Sequence, residues 1–320
     1  MQFYPRVRAK RIYSKTRTWA STKEVGFLGF AGYKVGMTHV MAIDAAPNSM
    51  TKGEEINIPV TILECPPLKI SSIKFYKNSI KGAKCAAEIS LKVDKELART
   101  NVLPKKLDEA KLAETEKNLK SYDDVRVVVY TQPKLTGIGK KRPEVFELGI
   151  GGKDITEKFN FIKNFIGKEI GAKDVFKAGQ HVDIKGVTIG KGTQGTTKRF
   201  GSALRQHKAE KTKRGVGTLG PWHPAHVLYT VPHAGKMGFH TRTEYNKWII
   251  SINDKPEEIN SKGGFVSYGF VKGTYMLIKG DTVGPLRRLI RMNFPIRPNH
   301  KIPKDAPTIT YVSQESKQHN

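Results

Sequence analysis

The chain has 320 residues, with 56 Lys and Arg against 29 Asp and Glu, a formal net charge of +27. Its 38% hydrophobic content supports a real core, yet such a charge excess repels itself in a compact state unless a polyanion offsets it. RNA or DNA is the usual counterweight. An anionic membrane would need a basic amphipathic helix or a lipid anchor, and no apolar run reaches bilayer length, so no membrane partner is expected.

Taken in chain order, residues 1–23 hold seven bases, no acid and several Ser and Thr. That composition also suits an organellar transit peptide, but Pro5 and the missing apolar face argue against an amphipathic helix. Residues 1–24 read as a basic arm. "VGFLGFAGY" (25–33) reads as a buried strand, and "IPVTILEC" (58–65) as another. From 88 to 124, nine acids nearly balance eight bases. Within it, 105–122 reads as a solvated helix with Leu107, Ala110, Ala113 and Leu119 as a thin apolar stripe. "VRVVVYT" (125–131) is strand-like. Asp154 and Glu157 have the spacing of a capping box, and Ile155, Phe159, Ile162 and Ile166 then follow helical periodicity up to Gly167.

Beyond that helix, "HVDIKGVTI" (181–189), "HVLYTV" (226–231), "KWIISIN" (247–253) and "YMLIK" (275–279) are β-branched or aromatic runs bounded by turn residues. The pattern gives a mainly β protein. A β-barrel core is expected over 25–69, 179–189 and 226–291, with an inserted, partly helical α/β segment at 70–178. Residues 190–225 form a basic central extension and 292–320 a basic, then polar, tail. Three stretches concentrate the charge: the arm, Gly190–Gly215 with eight bases against Glu210 alone, and Pro285–Lys304 with six bases and no acid. Such segments lack apolar surface and order best against phosphate.

Several motifs are decoys. "GKGTQG" (190–195) matches the dinucleotide fingerprint, but no sustained helical face follows, and no GK[ST] closes a Walker loop. Its glycines let backbone amides approach phosphate, which Lys191, Lys198 and Arg199 would neutralise. "KGGFVSYG" (262–269) echoes an RNA-reading strand with the wrong spacing and reads as a strand after a turn. His223, His226, His233 and His240 fit no common zinc pattern, and neither Cys65 nor Cys85 belongs to a CxxC pair. Two lone cysteines give no disulfide framework, so a reducing compartment is expected. No GxSxG elbow and no paired carboxylates mark an active site, so no catalysis, cofactor, metal or small-molecule substrate is expected.

"GVGTLGPWHPAHVLY" (215–229) poses the sharpest question. Trp222 lies between Pro221 and Pro224, which interrupt helices and central strands alike. Either the ring closes the hydrophobic core as a lid, or it is presented from a loop to a partner that accepts both aromatic and basic groups.

Several blocks in order then resemble one family: "GFAGYKVGMTHV" (29–40), "GVTIGKGTQGTTKRFG" (186–201), "GTLGPWHPAHV" (217–227), "GKMGFHTRTEYNKWI" (235–249) and "GGFVSYGFVKGTYMLIKGDTVGPLRRLIR" (263–291). Together the chain resembles the large-subunit ribosomal protein three family, in its archaeal and eukaryotic branch. The resemblance implies a closed, translation-protein-like β-barrel with an inserted segment and long basic extensions. It also implies a structural, non-enzymatic constituent of the cytoplasmic large ribosomal subunit that acts early in assembly. Its partners would be large-subunit rRNA and neighbouring ribosomal proteins.

Carried over by position, Trp222 would be the tip of a finger approaching the peptidyl transferase centre, shaped by Gly220, Pro221, His223 and Pro224. Lys191, Lys198, Arg199, Arg205, Lys208 and Arg214 would line its stem. The arm, with Lys10, Arg11, Lys15, Arg17 and Trp19, would run alongside. His240, Arg242, Arg287 and Arg288 complete the expected rRNA contacts. Glu210 departs from a purely basic stem. Residues 76–124 and the last twenty have no placed counterpart; the polar tail is open between disorder and pairing with a neighbour. Two other classes compete: a non-resident RNA chaperone or assembly factor, and an RNA-modifying enzyme with a barrel-type targeting domain.

Overall fold

A computed structural model describes residues 5–46, 48–104, 109–208, 211–299, 303 and 305–316, with the side chains of 109 and 110 outside the description. The chain begins with an extended arm and enters the long strand β1 (Gly29–Ile43), followed by β2 (Glu55–Glu64), β3 (Leu68–Ser79) and β4 (Gly82–Ser90). Helix α1 (Glu109–Lys117), β5 (Asp124–Tyr130), β6 (Val145–Gly149), α2 (Ile155–Asn164) and the short β7 (Glu169–Ile170) come next. Then follow β8 (His181–Val187), β9 (Gly190–Gln194), α3 (Thr196–Phe200), β10 (Gly235–Gly238) and β11 (Thr241–Asn253). β12 (Tyr275–Lys279), β13 (Leu289–Asn293) and β14 (Ile309–Val312) close the chain.

The strands form three sheets. The largest has the order β13-β8-β11-β12-β2-β1-β14, and β13 also pairs with β1, so six strands make a continuous ring of antiparallel pairings. β1 is long enough to serve two neighbours on one edge. Gly29–Tyr33 pairs with β13, and Val40–Ala42 pairs with β14. The second sheet has the order β4-β3-β5-β6, with β7 on β3, and the third is the pair β9–β10. The protein is mainly β, with few helices.

One hydrophobic cluster spans the ring and the second sheet. Phe27 bridges to Ile150 and stands edge-on to Phe161 and Phe165 at 5.0 Å centroid separation. Two polar clusters inside this core are internally paired. The Tyr33 hydroxyl donates to Glu144 Oε2 at 2.5 Å and lies 2.9 Å from Thr131 Oγ1. Glu64, fully buried, accepts from the Tyr268 hydroxyl and from the backbone amides of Lys272 (2.7 Å) and Gly273 (3.2 Å). Burial pushes both tyrosine hydroxyls well above their ordinary range.

Several local expectations need correcting. "HVLYTV" (226–231) is not a strand: Pro224 and Pro232 bracket it, no strand pairs with it, and it turns back through a Val231 N–H to Leu228 C=O bond. β-branched residues favour strands only where a pleated surface packs against them. Asp154 does cap α2 in an extended conformation, but its side chain makes no capping bond, so there is no capping box. α2 ends at Asn164, before Gly167, and buries Phe159 and Ile162 as its periodicity predicts. On α1 the inward residues are Leu112 and Thr115, not Ala113, which is exposed; Leu119 packs on the core just beyond it, while Leu107 and the side chain of Ala110 lie outside the described residues. Residues 262–269 form a turn closed by a single Phe265–Gly269 bridge, without a strand. The stretch 285–304 is not uniformly tail-like either, since β13 is a buried ring strand and Arg291 is 1% exposed. Part of the polar C-terminal segment pairs with the chain's own β1, through β14.

Candidate nucleic-acid interface

The interface is built where the ring hands the chain to the central extension. From 190 to 242 the sequence carries ten bases and one acid, Glu210, which lies outside the described residues. β9 and β10 pair as an antiparallel stem. "GKGTQG" is therefore a strand of a hairpin-like stem leading into a five-residue helix, not the turn of a parallel nucleotide-binding unit. Beyond α3, residues 201–234 contain no helix or strand among the described residues, and almost all are exposed. At the stem's return, Gly238 adopts φ +76°, where any Cβ would collide with the Ile189 carbonyl.

The arm is fastened to this stem. Ala9 N–H donates to Phe239 C=O at 2.7 Å, and Arg6 stands 4.2 Å over the Phe200 ring while donating to the Arg199 carbonyl. His240 is the staple. Its Nε2 accepts from Gly238 N–H at 3.1 Å, so Nδ1 carries the proton and donates to Val7 C=O at 2.8 Å. The imidazole is buried, and both nitrogens are engaged within the protein.

The expected contact residues divide by what their side chains already touch. Lys191, Lys198, Lys208 and Arg214 are exposed on the stem and extension. Arg199 instead closes the base of the extension, donating to Lys236 C=O (3.0 Å) and His233 C=O (2.9 Å). Arg205 donates to Val216 C=O at 2.8 Å, tying two legs of the extension together. Arg242 donates to its neighbour's carbonyl, Thr241, at 2.9 Å. Arg288 packs over Phe239 at 5.4 Å and donates to Val187 C=O, and burial lowers its pKa; Arg287 beside it is exposed.

Beyond Lys10, which borders the stem, the arm leaves it. Lys10, Arg11, Lys15 and Arg17 are exposed, but Arg11 and Lys15 line a cleft against the second sheet rather than the stem. Trp19 packs flat on Gly149, where a Cβ would sit 2.7 Å from the ring, and Arg291 lies 5.7 Å from its centre. That is the packing of a core-edge residue.

Trp222 is the opposite case. It is 88% exposed, so it does not close the core as a lid. Gly220, Pro221, His223 and Pro224 around it are exposed too, and the His223–Pro224 peptide is cis. Leu219, Val227, Leu228 and Tyr229 share this exposure, giving an apolar stretch next to a basic one. Soluble surfaces rarely hold such a combination without a partner. Sequence reasoning missed Arg6, Phe200, Lys236 and Phe239, which organise the arm–stem junction; their contacts join residues far apart in the chain, and no local pattern signals them. Among the described residues no group of three or more His, Cys, Asp or Glu is placed to hold a metal, and no helix is long and apolar enough to cross a membrane.

The structure is thus of the class in which a β-rich body carries a long basic extension with an exposed tryptophan. Comparison with known proteins gives the particular family. The family model described as "Ribosomal protein L3" matches residues 1–319. The large ribosomal subunit protein uL3 of Methanosphaera stadtmanae is 44% identical over 323 residues, covering 99% of this chain and 96% of that protein. Its counterpart in Methanothermobacter thermautotrophicus is 43% identical with the same coverage, and that of Methanopyrus kandleri is 42% identical, covering 99% and 90%. The chain belongs to the ribosomal protein L3 family and is a structural constituent of the large ribosomal subunit.

Proposed function

We propose that this chain binds large-subunit rRNA through its central extension and the first residues of its arm. In this reading the ring of six strands is a closed barrel resting on the subunit, and 190–225 and 1–24 are RNA-facing extensions. Trp222 is the tip of a finger that approaches the peptidyl transferase centre, and the protein joins the subunit early in its cytoplasmic assembly. It acts with rRNA and neighbouring ribosomal proteins, and not as an enzyme.

The observation that carries this reading is the exposure of Trp222 within a segment, 190–242, that holds ten bases and is almost wholly exposed over 201–234 among the described residues. Prolines on either side stiffen the tip and lower the ordering cost of binding. A ring stacked on bases contributes about 1–3 kcal/mol per base. Lys191, Lys198, Lys208 and Arg214 are exposed, which supports a role in neutralising phosphates, while Arg199, Arg205 and His240 bond within the protein and hold the local shape. Binding of the full chain to large-subunit rRNA, titrated with salt, tests the reading. Log affinity is expected to fall steeply with log salt, and Lys198→Gln to reduce the slope by about 1. A slope that ignores salt, or binding no stronger than to an unrelated RNA, would overturn it.

A further inference from the structure

A second basic surface lies away from the finger. A cleft of about 640 Å³ opens between residues 11–16 of the arm, the second sheet and segment 91–104. That is room for one nucleotide-sized group. Its lining holds the hydroxyls of Thr16, Ser72, Ser90 and Thr100 and the Asn101 amide, with Arg11, Lys15 and Lys74 at its walls. Ser72 and Thr100 donate within the protein, to Glu88 and the Pro143 carbonyl, which leaves their oxygens as acceptors, while Ser90 and Asn101 are exposed.

The two acids of the cleft are already partnered. Glu88 accepts from Ser72 Oγ at 2.7 Å and lies 3.7 Å from Lys74 Nζ; Glu147 pairs with Arg126 at 3.0 Å and accepts from the Tyr76 hydroxyl at 2.9 Å. Arg11 and Lys15 are exposed and have no ion pair among the described residues. Beneath them Arg291, 1% exposed, contributes to the lining. Its guanidinium donates to the carbonyls of Ser14 (3.2 Å) and Glu147 (2.6 Å) and faces the Phe146 ring at 4.6 Å, while its Nε has no acceptor. No carboxylate pairs with it among the described residues. The nearby Glu147 carboxylate offsets part of this buried charge without forming an ion pair with it, and in a poorly screened interior the remaining field reaches into the cleft. With Arg11 and Lys15 above it, the site is arranged for an anion.

We propose that this cleft holds one unpaired nucleotide of the bound RNA, its phosphate between Arg11 and Lys15 and its base edge against the hydroxyls and the Asn101 amide. A lining that both donates and accepts matches a base edge better than a peptide carboxylate, which would only accept. The arm also carries the surface there without a break, since Lys10 borders the groove at the stem and Arg11 borders the cleft. The inference rests on the rRNA-binding reading above.

The test is photo-cross-linking of the full chain to a large-subunit rRNA transcript containing 4-thiouridine, with cross-linked peptides mapped by mass spectrometry. The variant is Ser90→Trp, which fills the cleft from an exposed rim position and is checked for an unchanged melting temperature. Cross-links are expected in 11–17 and 97–104, and Ser90→Trp is expected to abolish them, leave those of the finger in place, and weaken binding about tenfold. Cross-links at the finger and stem with none at the cleft, or cleft cross-links that survive Ser90→Trp, overturn this inference alone. A cleft occupied by another protein's chain in assembled subunits overturns it too. The absence of RNA cross-links anywhere overturns both this inference and the reading it rests on.

Discussion

The six-stranded ring and the central extension are held by different means. In the ring, Phe30, Ile62 and Ile290 have no exposure at all, and every strand is paired on both edges. In the extension, 201–234 makes no regular structure among the described residues, and Leu219, Trp222 and Tyr229 face outward. The ring folds because burial of its own side chains offsets the loss of chain entropy. The extension has almost no such burial, and the side-chain bonds that tie its legs together include those from Arg199 and Arg205 to carbonyls. One chain thus contains a part that carries its own stability and a part with little burial to carry it.

The largest effect that sharpens this contrast is in the ring. Phe30→Ala is expected to cost about 3–5 kcal/mol, seen as a drop in the denaturation midpoint of the free protein. Next is alkaline pH. Burial raises the pKa of Tyr33, Tyr130 and Tyr268 above the ordinary value of about 10. Above that pH the unfolded chain releases protons that the folded chain retains. Stability is therefore complete below pH about 10 and is lost as pH rises past it. Tyr33→Phe should flatten that loss in a melting series from pH 8 to 11; an unchanged series would mean Tyr33 titrates alike in both states.

Smaller effects belong to the extension. Arg199→Gln should leave the global midpoint nearly unchanged but speed amide exchange over 233–236, because it removes the two bonds that close the base. Slower or unchanged exchange there would show that the base closes without it. The smallest stability effect is that of Trp222→Ala, expected within about 0.5 kcal/mol of the parent. Loss of cooperative unfolding in that variant would place Trp222 in the core after all.

Much of the ring was legible because its strands alternate or run apolar between turn residues: 58–65, 125–131 and 275–279 match β2, β5 and β12 closely. The same rule misfired at 226–231, where the residue types of a strand occur without a partner strand to pack on. The basic stretch 190–215 was legible from composition, whereas the flanking prolines of Trp222 left both a lid and an exposed loop open, and its exposure decides between them. Less legible was which cations are free. Lys198 and Arg199 are adjacent in sequence, yet one is exposed and the other bonds two carbonyls contributed from more than thirty residues away. His240 and Trp19 likewise read as RNA contacts but are committed to the arm and to Gly149. These distinctions are set by long-range contacts that leave no periodic trace in the chain.

The most direct test of the contrast is amide hydrogen exchange on the full chain, free and within the purified large subunit. Strands 58–64 and 275–279 should be protected in both, whereas 203–231 should exchange rapidly in the free protein and become protected in the subunit. Protection of 203–231 in the free protein, or rapid exchange there within the subunit, would contradict the view that RNA supplies the order this extension lacks.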